Sequence, residues 1–134
     1  MADTPAAERM DVAYLAALAR VRATMGAHHP LLVGGREIDT ARRIESVNPA
    51  RPDDVIGTAA CGGRAEAEAA VAAAKAAQAA WRDTPARERA GVLFRAADLM
   101  RGQVVDLAAL ITVEAGKTRR EANADVDEAI DFLE

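Results

Sequence analysis

The sequence contains one cysteine, Cys61, among its 134 residues. A single cysteine excludes an internal disulfide framework. No apolar run approaches the roughly eighteen residues that a membrane-spanning helix needs. Charged residues also interrupt the N-terminal segment where a secretory signal would be apolar. Together these absences predict a cytoplasmic protein that does not enter a membrane.

Aromatic residues are also scarce, at 3% of the chain, and the apolar total of 51% depends heavily on alanine. Alanine lets backbones approach closely but buries little surface per residue, so we expect the chain alone to have modest stability. The formal net charge is −4, with both signs interspersed along the sequence. Without a basic stripe, we expect no nucleic-acid partner.

The longest apolar repeat covers residues 85–118, and the rest of the chain is predicted to pack around it. Its spacing of four and three residues predicts one helix of about thirty residues. Thr84 suits the N-cap, Pro85 the first helical position and Gly116 the C-cap. Because its apolar face is wide, we expect the helix to need cover, and the isolated chain to be partly disordered or to self-associate. The predicted buried residues are Leu93, Ala97, Met100, Val104, Leu107 and Ile111.

Three further helices are predicted. The first carries apolar residues from Tyr14 to Met25 and ends at Gly26. The second, residues 65–81, is rich in alanine and has a face of small residues suited to close helix packing. The third, residues 121–134, carries Ala122, Val126, Ile130 and Leu133 inward. It ends with no C-cap, which predicts that the sequence continues beyond Glu134.

Short β-like segments lie between the first two helices, at residues 31–33, 36–38, 44–47 and 55–60. Gly34 and Gly35 form the two-residue loop typical of a β-hairpin. His28 and His29 come just before and are assigned to an exposed linker, since an adjacent pair outside a helix is poor metal-ligand spacing. The predicted fold class is α/β, with an N-terminal helix and linker over residues 1–29 and a second unit over residues 30–134.

Several possible chemical motifs are incomplete. The run from Gly116 to Thr118 lacks the earlier glycine of a phosphate-binding loop and follows a helix, whereas such a loop follows a strand. The pair Gly62 and Gly63 lacks the third glycine of a dinucleotide fingerprint. Cys61 has no histidine predicted near it, which favours a buried, inert thiol over a nucleophile. None of these segments is therefore predicted to bind a nucleotide or to catalyse a reaction.

Glu114 lies in the last turn of the long predicted helix, where the negative end of the helix dipole repels a carboxylate. A neighbouring cation would remove this penalty. The sequence leaves two sources open, the ammonium group of Lys117 and a bound monovalent ion.

Seven short segments follow one another along the chain: PLLVGGREI, SVNPA, VIGT, Trp81, Glu88 with Arg89, LFRAADLM and EAGK. In this order they resemble the N-terminal portion of the NAD-dependent aldehyde dehydrogenase superfamily. The N-terminal helix leading into HHPLLVGG, and the segment NADVDEAIDFLE, are similar to its L-glutamate γ-semialdehyde dehydrogenases, also called 1-pyrroline-5-carboxylate dehydrogenases.

The resemblance implies an enzyme that oxidises the semialdehyde to glutamate and reduces NAD, and a chain that packs against a Rossmann-like cofactor domain. Its mechanism would be thiolate attack on the aldehyde, hydride transfer to NAD and hydrolysis of a thioester. No position of this chain matches the family's catalytic cysteine, general base or nicotinamide-binding glycine turn. The chain alone is therefore expected to bind no NAD and to be inactive. Its expected partners are the remainder of such a chain, an aldehyde substrate and further copies in a homo-oligomer.

The same resemblance implies two sites within the chain. A monovalent cation would be held by the backbone carbonyls of Ser46 and Val47 and by the carboxylate of Glu114. Glu128 would line the aldehyde entrance, and its spacing from Val126 and Ile130 suggests a place at the rim of the buried stripe. The alternative for Glu128 is a solvated surface carboxylate like Asp127, and the alternative for the whole chain is a free-standing helical interaction module.

Overall fold

The computed structural model describes residues 6–134, with side chains described from residue 10 onward. Five helices and five short strands follow one another, so the predicted α/β class is confirmed. The elements are α1 (Ala6–Ala23), β1 (Ala27–His29), β2 (Leu31–Val33), β3 (Arg36–Ile38), β4 (Arg43–Asn48), β5 (Arg51–Ala60), α2 (Arg64–Asp83), α3 (Ala86–Arg101), α4 (Val104–Ala115) and α5 (Arg119–Asp131).

The strands form two separate sheets. In the three-stranded sheet β5 is central, with β1 parallel to it on one side and β4 antiparallel on the other. Strands β2 and β3 form the predicted hairpin, with Leu31 opposite Ile38. Gly34 and Gly35 have φ angles of 58° and 75°, which the turn requires and which glycine adopts without strain.

The buried core joins α1, α4 and α5, with single contributions from β5 and α3. In α5 the predicted inward residues Ala122, Val126 and Ile130 are buried, and Leu133 packs against them. Alanines provide most of the fully enclosed positions, so these helices approach one another closely. The core consists of Tyr14, Ala17, Val21, Ile56, Ala97, Ala108, Ala109, Val113, Ala122, Val126 and Ile130.

The prediction of one helix over residues 85–118 is wrong. Helix α3 ends at Arg101, and α4 begins at Val104 after Gly102 and Gln103. Glycine is a poor helix former, which favours a break here. The apolar residues of α3 and α4 keep a similar spacing across the two-residue break, so their periodicity does not reveal that the helix is interrupted. The predicted end at Gly116 is confirmed, with a left-handed φ of 67°.

The predicted start of that helix also needs correction. Thr84 is the C-cap of α2, and its N–H donates to the carbonyls of Ala80 and Trp81. Pro85 takes the N-cap position of α3. The two helices are therefore joined by two residues that each serve as a cap.

The assignment of His28 and His29 to a linker is wrong, because they form β1 with Ala27 and pair with residues 57–59 of β5. Strand β5 is also longer than predicted and begins at Arg51, so Pro52 lies inside it. Pairing with β5 gives hydrogen-bond partners to the backbone N–H and C=O groups of residues 27–29, a strand that the sequence alone did not predict.

The small face of α2 contacts the β2–β3 hairpin, whereas the sequence predicted another helix there. A Cβ at Gly34 would lie 3.4 Å from the Cβ of Ala73. No residue of α2 is buried, and Val71 and Trp81 are more than half exposed.

Among the helices that the structure describes, α2 included, none is long and apolar enough to cross a membrane.

Candidate functional site

A groove of about 390 Å³ lies between the end of α1, the three-stranded sheet and α4. Residues 56–59 of β5 line it, together with residues of β1 and β4. Its lining includes Thr24, His29, Ile44, Ser46, Leu110 and Glu114.

Two of the residues expected at a cation site meet in this groove. The Ser46 hydroxyl donates to Glu114 Oε1 at 2.7 Å, although the residues are 68 positions apart in sequence. The ladder between β4 and β5 shifts register on both sides of Val47. Such an irregularity disturbs the regular pairing of carbonyl oxygens at that point. The structure thus brings Ser46 and the Glu114 carboxylate together through the serine hydroxyl, next to a distorted strand, whereas the resemblance implied the backbone carbonyls of Ser46 and Val47 as ligands.

Glu114 has Ser46 as its hydrogen-bond partner, and the structure does not pair it with Lys117. The Lys117 ammonium group donates instead to Asp125 Oδ2 at 2.5 Å. That hydrogen bond is the main cause of a raised pKa for Lys117, and the negative charges of Glu121 and Glu128 add to it. The two cations considered for Glu114 were Lys117 and a bound monovalent ion. Lys117 is therefore paired with Asp125 instead of Glu114.

Glu128 is exposed on α5, as is Asp127. At about 100° per residue, it lies roughly opposite the stripe formed by Val126 and Ile130. The expected position at the rim of that stripe is therefore wrong. Glu128 shares its side of α5 with Asp125, whose carboxylate holds Lys117. The residue is accessible to a ligand or to another part of a protein.

The sequence reasoning missed a hydrogen-bonded cluster around His28. Its Nδ1 lies 2.9 Å from Thr58 Oγ1, and its Nε2 lies 2.9 Å from Asp39 Oδ1. Arg43 donates to the other oxygen of Asp39 at 3.2 Å. The bond from His28 and the backbone N–H of Thr40 lower the pKa of Asp39. The sequence could have indicated this cluster only if residues 27–29 had been assigned to a strand.

Cys61 is half-buried, rather than fully buried as expected. It follows β5, and its backbone N–H donates to the Arg42 carbonyl at 2.8 Å. Among the hydrogen bonds of the described residues, none joins its thiol to a base, and both histidines lie in β1. The residue is tied into the sheet by its backbone.

The helix starts that follow glycine-containing loops are already occupied by carboxylates of the chain. Glu66 accepts from the Gly63 N–H at 2.7 Å at the start of α2. Glu121 accepts from the Thr118 N–H at 2.9 Å at the start of α5. These contacts lower the pKa of both carboxyl groups. These carboxylates would repel a pyrophosphate, which binds at the same end of a helix.

The family model described as "Aldehyde dehydrogenase family" matches residues 36–134. The chain belongs to the aldehyde dehydrogenase family. Among curated relatives, the 1-pyrroline-5-carboxylate dehydrogenase of Bacillus pumilus is 48% identical over 122 residues, which cover 91% of this chain and 24% of the relative. A Bacillus subtilis protein of the same name is 41% identical over 117 residues, 87% of this chain and 23% of the relative.

Solved structures give the same result. The 1-pyrroline-5-carboxylate dehydrogenase from Thermus with bound NAD matches with a TM-score of 0.93 and 46% identity, over 98% of this chain and 25% of that one. The Δ-pyrroline-5-carboxylate dehydrogenase from Mycobacterium tuberculosis matches with a TM-score of 0.88 and 32% identity, over the same shares. The fold is that of the N-terminal part of an aldehyde dehydrogenase. This chain spans about a quarter of the length of these relatives.

Proposed function

We propose that this chain is the N-terminal part of an NAD-dependent aldehyde dehydrogenase that oxidises L-glutamate γ-semialdehyde to glutamate. The observation that carries the proposal is the similarity to proteins named 1-pyrroline-5-carboxylate dehydrogenase over 91% of the chain, at 48% identity in one case. A match of this length extends into α1, which lies outside the residues matched by the general family model.

The described residues act as a scaffold in this proposal. Helix α1 is held against the rest by Arg20, which bonds to Asp106 at 2.6 Å, and by Tyr14, whose hydroxyl lies 2.5 Å from that of Thr112. The thiol and the cofactor turn that the chemistry needs would come from sequence beyond Glu134. Consistent with that division, the start of α2 is occupied by the carboxylate of Glu66, which would repel a pyrophosphate.

Two positions of the chain have proposed roles in the complete enzyme. Glu128, exposed on α5, would line the aldehyde entrance. Ser46, Val47 and Glu114 would hold a monovalent cation, a role supported by the 2.7 Å contact between Ser46 and Glu114. Oxygen ligands and the end of a helix both favour a hard cation. We also propose that the complete enzyme is cytoplasmic and forms a homo-oligomer.

The test is an activity measurement on the full protein that the gene encodes. We expect NADH formation with glutamate γ-semialdehyde, and a kcat/KM about tenfold or more above that for an aliphatic aldehyde without its charged groups. The 134-residue chain alone should give no NADH. A full protein with no activity on any aldehyde would instead support the free-standing interaction module. Equal activity on both aldehydes would overturn the substrate assignment.

A further inference from the structure

Strand β4 and the turn that follows it contact the end of α4 at two points. One is the hydrogen bond from Ser46 to Glu114, at 2.7 Å. The other is the ring of Pro49 against Gly116, where an added Cβ would lie 2.8 Å from Pro49 Cγ. Carbon atoms in ordinary contact are about 3.5 Å or more apart. No side chain therefore fits at residue 116 while the turn keeps its place.

Neither partner of this contact can easily give way. Pro49 is a closed ring with no flexible end. The neighbouring Asn48 also bridges the turn, since its Oδ1 accepts from the Ala50 N–H at 2.9 Å. Gly116 is the C-cap of α4, with its N–H donating to the Thr112 carbonyl at 3.1 Å. A side chain at residue 116 would therefore move the whole turn away from α4.

We propose that Gly116 is a positioning residue: its contact with Pro49 sets the distance between the β4–β5 turn and α4, and thereby keeps Ser46 bonded to Glu114. Ser46 lies on β4, three positions before Pro49, so a shift of the turn also lengthens the Ser46–Glu114 distance. A hydrogen bond of this length weakens when its atoms move apart by a few tenths of an ångström. Where it concerns ion binding, this inference rests on the proposed cation role of Glu114.

Other glycines provide controls for the two effects of a substitution. Gly26 has a φ of 81° but open space where a Cβ would stand, so Gly26→Ala introduces backbone strain without a clash. Gly116→Ala introduces both strain and the clash with Pro49. The double variant Pro49→Ala with Gly116→Ala keeps the strain and removes the clash.

The first measurement is a thermodynamic cycle on the full protein. Ser46→Ala should lower Tm by about 2 °C in the wild-type background, as expected for one exposed hydrogen bond. In the Gly116→Ala background it should cost nothing further, because the bond is already broken. The cost should return in the Gly26→Ala background and in the double variant with Pro49→Ala. An unchanged cost of Ser46→Ala in Gly116→Ala would overturn the proposal.

The second measurement is the dependence of activity on potassium concentration, which a merely structural role of Gly116 would not change. Gly116→Ala should raise the half-saturating concentration about tenfold, as when a support of a metal ligand is lost. Adding Pro49→Ala should restore it. If Glu114→Gln alters the potassium response and Gly116→Ala does not, the positioning role is wrong. If Glu114→Gln changes nothing, the cation role fails, and the cycle with Ser46→Ala still decides the positioning role.

Discussion

Val126 is the largest side chain that the described structure encloses completely, with 1% of its surface exposed. It lies on α5 between the buried residues Ala122 and Ile130. Val126→Ala removes two carbon atoms from the core, a loss of about 1.6 kcal/mol in transfer free energy at about 0.8 kcal/mol per carbon. The cavity left behind adds about 1 kcal/mol. The higher helix propensity of alanine returns about 0.5 kcal/mol. The expected net destabilisation is therefore about 2 kcal/mol.

Val71→Ala is the matched control, because Val71 is 55% exposed on α2, a helix with no buried residue. It should leave the stability unchanged or raise it by about 0.5 kcal/mol. Both variants of the 134-residue chain should be compared by urea unfolding, followed by far-UV circular dichroism at low protein concentration. Equal midpoints for the two variants, with the same dependence on urea, would show that α5 does not pack in a core as described.

Three further predictions concern other sites. In the full enzyme, Glu128→Ala should lower kcat/KM for the semialdehyde about tenfold, or about 1.4 kcal/mol, whereas the neighbouring Asp127→Ala should have no effect. Equal effects of the two substitutions would contradict a role of Glu128 at the aldehyde entrance. The pKa of Asp39 is lowered by its bond from His28, so the stability it contributes is present above its ordinary pKa of 3.8 and is lost as the pH falls through the lowered value. Asp39→Asn should therefore lower Tm at pH 6 and lower it less at pH 3, and the same shift at both pH values would contradict this. The 134-residue chain should self-associate through apolar side chains such as Leu93 and Phe94, which are 48% and 46% exposed. Its sedimentation should be measured in roughly 100-fold dilution steps over concentrations on the order of millimolar to micromolar, and a monomer at every concentration would argue against self-association.

Local sequence signals predicted the elements that depend on them. The hairpin follows from Gly34 and Gly35, whose positive φ angles only a few residue types accept. The inward face of α5 follows from a regular apolar repeat, and the end of α4 follows from Gly116. In each case the residues that favour the local conformation lie within a few positions of the element that they predict.

The features that were missed depend on contacts between distant segments. Strand β1 exists because residues 27–29 pair with β5, about thirty positions away. The break after Arg101 falls at Gly102 and Gln103 and leaves the spacing of the apolar residues unchanged. Apolar periodicity reports which residues are buried, but it carries no information on whether the backbone continues as one helix. The proximity of Ser46 and Glu114 was implied only by the family resemblance, because a separation of 68 residues leaves no local signal.

Calorimetric titration with NAD tests most directly the claim that this chain is a scaffold for a site completed elsewhere. The 134-residue chain should give a flat titration, since Glu66 and Glu121 occupy the helix starts that a pyrophosphate would need. The full protein from the same gene should give saturable binding. Circular dichroism on the titrated samples should show that the helices are formed in both. Saturable binding of NAD to the 134-residue chain at micromolar concentrations would contradict the account.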